Sequence, residues 1–145
     1  SRVVHRRFGT QERGMLMMEE KPHAYEDMLR TVYDAFAKGD VTTVMLTDDI
    51  EYHVSGRSPV SGTYKGKGEV LGLFGKLMEL SGGTFRIEIQ DVLANDKHGV
   101  TLTIERGHRA GKTLENRAVH VWDIRDGKST RFRGYNDDTW DAFWS

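Results

Sequence analysis

Apolar positions in the first third of the chain recur at the spacing of an amphipathic helix. Pro22 suits the first turn of a helix, and apolar residues then follow every three or four positions as far as Phe36. Gly39 ends this run, since glycine is favoured just past the end of a helix. Asp40 can cap a second, short helix that reaches Leu46.

Strict alternation of apolar and polar residues follows, with one helical stretch inside it. Ile50, Tyr52 and Val54 mark a strand, and the apolar positions from Val70 to Met78 return to helical spacing. The remaining strands alternate between clusters of turn residues, and three large aromatic residues indicate a closing helical turn. These elements are predicted at residues 85–89, 100–104, 118–124, 129–137 and 140–144.

The order of these elements predicts the fold class. Helices and strands are segregated, which is typical of an α+β fold with an antiparallel sheet covered on one face. We expect a cone-shaped α+β barrel, in which a curved sheet wraps over three N-terminal helices and encloses an internal pocket for a small apolar molecule. Residues 21–145 form this domain, and residues 1–20 are expected to be a flexible basic arm.

Composition narrows the possible functions. The net charge of −1 gives no general attraction to nucleic acid or to anionic membranes, and no apolar run approaches the ~20 residues of a membrane span. The absence of cysteine excludes disulfides and thiolate chemistry and fits a reducing, cytoplasmic location. The six histidines include no pair at metal-ligand spacing with an acid, so neither a metal nor another cofactor is predicted.

Four stretches of sequence carry a resemblance to a known superfamily. They are "YDAFAKGDVTTVMLTDDIEYH", "SGTYKGKGEVLGLF", "VHVWDIRDGKSTRFRGYNDD" and "DAFW", spread over residues 33–144. They are similar to the nuclear transport factor 2-like superfamily, in its SnoaL-like, ketosteroid-isomerase-related branch. The resemblance implies the cone fold and a homodimer that packs through the outer face of the sheet. It does not fix the reaction, because the scaffold hosts isomerases, cyclases, hydrolases, dehydratases and non-enzymatic modules.

The alternation of side chains predicts which residues line the cone. If His120 and Trp122 face inward, we expect even-numbered residues of the neighbouring strands to do the same. His53 then looks away from the cone, unless a bulge reverses the phase of its strand. The expected lining residues are Ile50, Tyr52, Val54, Val100, Leu102, Ile104, Arg106, His108, Ala118, Ile124, Phe132, Gly134 and Asn136, with Tyr33 and Phe36 from the first helix.

Several of these positions match functional positions of related enzymes. Arg106 and Tyr52 resemble the arginine and tyrosine of limonene epoxide hydrolases, but His108 and Val54 replace the aspartate and asparagine of that family. Gly134 stands where the polyketide cyclases have an acid/base aspartate. Both reactions are therefore disfavoured, since each needs its carboxylate.

Two other chemistries of the superfamily remain open at the level of sequence. The base of ketosteroid isomerase aligns with either Val54 or His53, and its tyrosine aligns with Val32, next to Tyr33. Scytalone-dehydratase-like chemistry relies on tyrosines and histidines, for which Tyr52 and His120 are available.

We therefore expect a SnoaL-like small-molecule-binding domain. If the domain is an enzyme, we expect a cofactor-free isomerase, cyclase or dehydratase that acts on an apolar cyclic compound. The alternative is a non-catalytic module for ligand binding or dimeric assembly. The acid/base candidates are His120, His108, Tyr52 and His53. The ligand-binding candidates are Arg106, Trp122, Asn136, Phe132, Tyr33, Phe36 and Val54. Arg106 needs an acidic partner or an anionic ligand group, and the aromatic residues serve either as core or as ligand platforms.

Overall fold

The computed structural model of the protein describes residues 2–6, 16–20, 23–40 and 45–145. In chain order the elements of these parts are β1 (Arg2–Arg6), β2 (Leu16–Glu20), α1 (Ala24–Ala37), β3 (Leu46–Val54), β4 (Gly62–Lys65), α2 (Gly66–Leu80), β5 (Arg86–Ala94), β6 (His98–Arg109), β7 (Lys112–Arg125), β8 (Lys128–Tyr135) and α3 (Thr139–Trp144). None of the helices in this described part of the chain is both long and apolar enough to cross a membrane.

Six strands form the main sheet, in the order β4-β3-β8-β7-β6-β5. All neighbouring strands are antiparallel except β3 and β8, which run parallel. The helix α1 packs on β5 and β6, α2 on β3, and α3 on β7, so that the helices cover the inner face of the curved sheet. This arrangement confirms the predicted cone-shaped α+β fold.

The first helix begins with a capping box. The side chain of His23 accepts a hydrogen bond from the backbone of Tyr25, while the side chain of Glu26 accepts one from the backbone of His23. The helix ends before Gly39, whose φ of 79° lies in the left-handed region that glycine favours. The predicted end of the helix is thus confirmed.

Two predicted details differ. Part of the expected second helix, residues 41–44, lies outside the described residues, and Leu46 belongs to β3, where it pairs with Ser129 of β8. Among the described residues the third helix is the C-terminal α3, which matches the predicted closing turn. Within the expected flexible arm, the backbones of β1 and β2 pair as a separate antiparallel sheet. The flexibility of the arm stays a prediction.

The inward face of β6 is the opposite of the predicted one. A two-residue turn, Ala110-Gly111, with φ of 50° and 79°, joins β6 to β7 and pairs Arg109 with Lys112. Even-numbered residues of one strand therefore lie opposite odd-numbered residues of the other. Consequently Thr101, not Leu102, lies beside the inward-facing His120.

The expectation that the even-numbered residues of β6 line the cone is therefore wrong, and the two-residue turn is the physical reason. Val100, Leu102, Ile104, Arg106 and His108 lie on the outer face. The inner positions of β6 are Gly99, Thr101, Thr103, Glu105 and Gly107.

On the other side of β7, an irregularity restores the expected phase. The register between β7 and β8 shifts between Asp123 and Ile124. Beyond this shift Trp122 pairs with Phe132 and His120 pairs with Gly134, so that even-numbered residues share the inner face. The parallel strand β3 continues the pattern and confirms the predicted inward position of Tyr52, opposite Phe132, and of Val54, opposite Gly134.

Gly99 of β6 lies directly under Leu29 of α1. A Cβ atom at this position would overlap Cδ1 of Leu29, a fully buried residue of α1. We expect Gly99→Ala to reduce the free energy of unfolding by about 1–3 kcal/mol, as overpacked core substitutions do.

The matched control is Gly72→Ala, at an exposed position inside α2 with no atom within 4 Å of the added carbon. There we expect stabilisation by about 0.5–1 kcal/mol, because alanine is the better helix former. Chemical denaturation of both variants measures the two values. A Gly99→Ala protein with the same free energy of unfolding as the wild type would contradict the close packing of α1 on β6.

Candidate active site

The inner faces of the sheet and helices enclose a mainly apolar cavity. The space open to the centres of water-sized molecules measures about 70 Å³, several times the ~10–15 Å³ needed by one water, so the cavity has room for a small organic molecule. It is lined by Val32, Tyr33, Phe36, Asp40, Tyr52, Val54, Leu73, Phe74, Leu77, Phe85, Ile87, Glu105, His120, Trp122, Phe132, Gly134 and Trp140.

Three polar side chains of the cavity form a buried chain. The hydroxyl group of Tyr33, from α1, lies 2.5 Å from Nδ1 of His120, in the middle of β7. On the other side of the ring, Nε2 of His120 lies 3.4 Å from Oε2 of Glu105, on β6. His120 and Glu105 are only 5% and 4% exposed. A phenol, an imidazole and a carboxylate in this order can pass protons along the chain.

The carboxylate of Glu105 is also held from its other oxygen. The side-chain amide of Asn116, which is fully buried, donates a hydrogen bond of 2.7 Å to Oε1. The same amide group donates to Oδ1 of Asn136, whose own backbone and amide bond to Ser55. Since a buried carboxylate needs hydrogen-bond partners, this network fixes Oε2 toward His120.

Tyr33 stays in its neutral form under ordinary conditions. Burial raises the pKa of its phenol well above the usual value, and the negative charge of Glu105 adds to this rise. The hydroxyl of Thr101 and the indole N–H of Trp122 lie close enough to lower this pKa in part. Neither of them reaches hydrogen-bond geometry with any described residue, so both are unsatisfied polar groups beside the Tyr33 oxygen.

Aromatic rings form the opposite wall of the cavity. Tyr52 stacks on Phe132 with the ring centroids 3.9 Å apart, and the edge of Phe132 meets Trp122 and His120. Burial raises the pKa of Tyr52 well above its ordinary value, and electrostatic interactions with Tyr33 and Glu105 add to this rise. Tyr52 is thus a neutral phenol in an apolar setting.

Gly134 lies inside the cone, opposite His120, as the sequence predicts. A Cβ atom at this position would lie 3.1 Å from Cε1 of Phe132 and 3.7 Å from Cδ2 of His120. The ring of Phe132 therefore fills the space next to this glycine.

Seven of the eleven predicted catalytic and ligand-binding residues line the cavity. His120, Tyr52, Trp122 and Phe132 line it, as do the remaining candidates Tyr33, Phe36 and Val54. Four other candidates do not line it, each for a specific structural reason.

Arg106 and His108 are on the outer face of β6, as the two-residue turn requires. The guanidinium of Arg106 forms a 2.9 Å ion pair with Glu88 and lies 3.8 Å from Glu115. These acids supply the acidic partner that Arg106 needs, so it requires no anionic ligand group. His108 is exposed, 3.5 Å from the hydroxyl of Thr113.

His53 and Asn136 also lie away from the cavity. No bulge reverses the phase of β3 at His53, whose Nδ1 lies 2.9 Å from the hydroxyl of Thr63 on β4. Asn136 follows the end of β8 and belongs to the network that fixes Glu105. Its predicted contact with a ligand is replaced by a contact with Asn116.

Glu105 is the functional candidate that sequence reasoning missed. The expected inward position of the even-numbered residues of β6 predicts Glu105 on the outer face, with the other odd-numbered residues. The signal that could have placed it correctly is "RAGK", because Ala110-Gly111 as a two-residue turn requires even residues to pair with odd ones.

Comparison with known proteins places these features in a family. An uncharacterised protein of Mycobacterium tuberculosis is 29% identical over 124 residues, which cover 82% of this chain and 95% of the relative. Bal32a, from a soil-derived mobile gene cassette, is 28% identical with a TM-score of 0.78, over 82% of this chain and 95% of its own.

A more distant solved structure shares the fold alone. IdmH of Streptomyces antibioticus, a candidate polyketide cyclase, is 17% identical with a TM-score of 0.68, over 83% of this chain and 96% of its own. The family model of the SnoaL-like domain matches residues 29–132, more than two thirds of the sequence. The chain therefore belongs to the SnoaL-like domain family.

Proposed function

We propose that this protein binds an apolar, ring-containing small molecule in the cavity and transfers a proton to or from an oxygen atom of that molecule, without a cofactor. The observation that carries the proposal is the buried chain Tyr33–His120–Glu105 at the wall of an otherwise aromatic cavity. Apolar pockets with a few convergent polar groups are typical of small-molecule sites. The volume of the cavity favours a compound with a single ring.

In the proposed mechanism Tyr33 touches the ligand and His120 holds the proton. Tyr33 donates its O–H proton to the ligand oxygen while its own oxygen takes the Nδ1 proton of the imidazolium form of His120. The imidazole that remains keeps its Nε2 proton toward Glu105. Because the raised pKa of Tyr33 disfavours a free phenolate, the two proton transfers are coupled.

The reverse transfer removes a proton from a ligand hydroxyl. It passes through the Tyr33 oxygen to Nδ1 of His120, and the carboxylate of Glu105 stabilises the imidazolium that forms. Polarising or protonating a ligand oxygen in this way is the elementary step of isomerisation, cyclisation or dehydration. These are the reaction classes that we propose.

The catalytic part of the proposal is tested by hydrogen exchange. Single-ring ketones such as acetophenone are incubated with the protein in D₂O, and deuterium uptake next to the carbonyl group is followed by NMR. Protonation of the carbonyl oxygen by Tyr33 promotes enolisation, in which solvent removes the α-proton and later returns a deuteron, so we expect the wild type to accelerate exchange over buffer. His120→Ala and Tyr33→Phe should lose about 100- to 10,000-fold of this acceleration, the usual contribution of general acid/base catalysis.

His108→Ala is the matched control, since that histidine is exposed on the outer face. This variant should accelerate deuterium exchange of the ketones as much as the wild type does. Equal rates for wild type and His120→Ala would contradict the proposed role of the buried chain.

A binding module without catalysis is the second candidate, and Gly134 is the observation that favours it. The chain has no side chain where the polyketide cyclases keep their acid/base carboxylate. Binding of the ketones with no acceleration of exchange in the wild type would favour this alternative over the enzyme.

We also propose a homodimer through the outer face of the sheet. Leu102, Val119 and Tyr135 lie side by side on β6, β7 and β8 and are 38%, 37% and 46% exposed. A row of exposed large apolar residues across three strands supports a protein–protein contact there.

Val119→Glu places a charge in the middle of this row and should convert the dimer into a monomer of 16.5 kDa in light scattering. The control is Leu71→Glu, because Leu71 is similarly exposed but lies on α2. It should leave the dimer intact. A wild type that is already monomeric at high concentration would refute the proposed contact.

A further inference from the structure

Charged side chains are distributed unevenly around the cavity. Glu105 contributes a buried carboxylate, and Asp40 contributes an exposed one at the rim. Among the described residues that line the cavity there is no lysine or arginine. The nearest expected cation, Arg106, points to the opposite face of β6 and pairs with Glu88 and Glu115.

The pair of Glu105 and His120 offers no unpaired positive charge to a ligand, whether the imidazole is neutral or protonated. With a neutral imidazole, the carboxylate makes the site negative. With a protonated imidazole, the positive charge lies 3.4 Å from Oε2 of Glu105 and is compensated. An anionic group that enters the cavity therefore loses its hydration and finds no free cation in return.

The cavity wall carries a buried donor that requires an acceptor. The indole N–H of Trp122 is buried and has no hydrogen-bond partner among the described residues. A ligand oxygen with free lone pairs can satisfy such donors. A carbonyl group meets this need without bringing a charge.

We propose that the cavity is selective for uncharged ring compounds that carry a carbonyl oxygen, and that Glu105 is the residue that excludes carboxylates and other anions of the same shape. This inference rests on the proposed small-molecule site and adds the class of ligand that the site accepts. Compounds that could bind only through an acidic group are therefore not expected to bind in this cavity.

Three probes of nearly equal shape test this selectivity. Acetophenone, benzamide and benzoate share one ring and one planar carbonyl group, and only benzoate is charged near neutral pH. Calorimetric titration of the wild type should give similar affinities for the first two. Benzoate should bind about tenfold to a hundredfold more weakly, as expected for a like charge at a few ångströms in a partly buried site.

The Glu105→Gln variant then identifies the residue responsible. Glutamine keeps the shape of the side chain and an oxygen for Asn116, while it removes the charge. The ratio between the affinities for benzamide and benzoate should shrink to about threefold or less in this variant. Glu88→Gln, which removes an exposed glutamate on the outer face, should leave the difference unchanged.

The outcomes separate the inference from the proposed function. If benzoate binds the wild type as tightly as benzamide, or if the difference survives in Glu105→Gln, the charge selectivity is refuted while the pocket remains. If none of the three probes binds at millimolar concentration, the small-molecule site itself fails, and the inference fails with it. The comparison within the wild type needs no variant to fold.

Discussion

A carboxylate buried beside an aromatic cavity must be held by hydrogen bonds, and the candidate site depends on how Glu105 is held. One oxygen accepts a 2.7 Å hydrogen bond from Asn116, and the other lies 3.4 Å from His120. An isolated buried charge is costly, so the imidazole and the amide are what allow an acid to remain there. Through His120 the same carboxylate sets the orientation of the ring toward Tyr33. The proposed proton transfer and the proposed charge selectivity both depend on this single arrangement.

Sequence patterns were sufficient for the fold because they act within single elements. Helical spacing located α1 and α2, and alternation located the four long strands from β5 to β8. The spacing of apolar residues within one element depends only on which face of that element is buried. They were not sufficient for the faces of neighbouring strands, which depend on the turn that joins them. Ala110-Gly111 inverts the phase between β6 and β7, and the shift near Asp123 restores it between β7 and β8.

This dependence explains which parts of the site were predicted. Tyr52, Trp122 and His120 were placed in the cavity because β3, β7 and β8 keep the same phase. Glu105 was missed and Arg106 was wrongly placed inside, because both lie on the inverted strand. The exchange of an inward arginine for an inward glutamate reverses the charge of the cavity. It removes from the cavity the one cation that could have held an anionic group of a ligand.

The most direct measurement of the central arrangement is NMR of the protein with ¹⁵N-labelled histidine side chains, compared between wild type and Glu105→Gln. We predict that His120 in the wild type carries its proton on Nε2, facing Glu105, with Nδ1 accepting from Tyr33. Removal of the carboxylate should change the ¹⁵N shifts of His120 and leave those of the exposed His108 unaltered. Identical His120 signals in the two proteins would contradict the account, because they would mean that Glu105 does not face the imidazole.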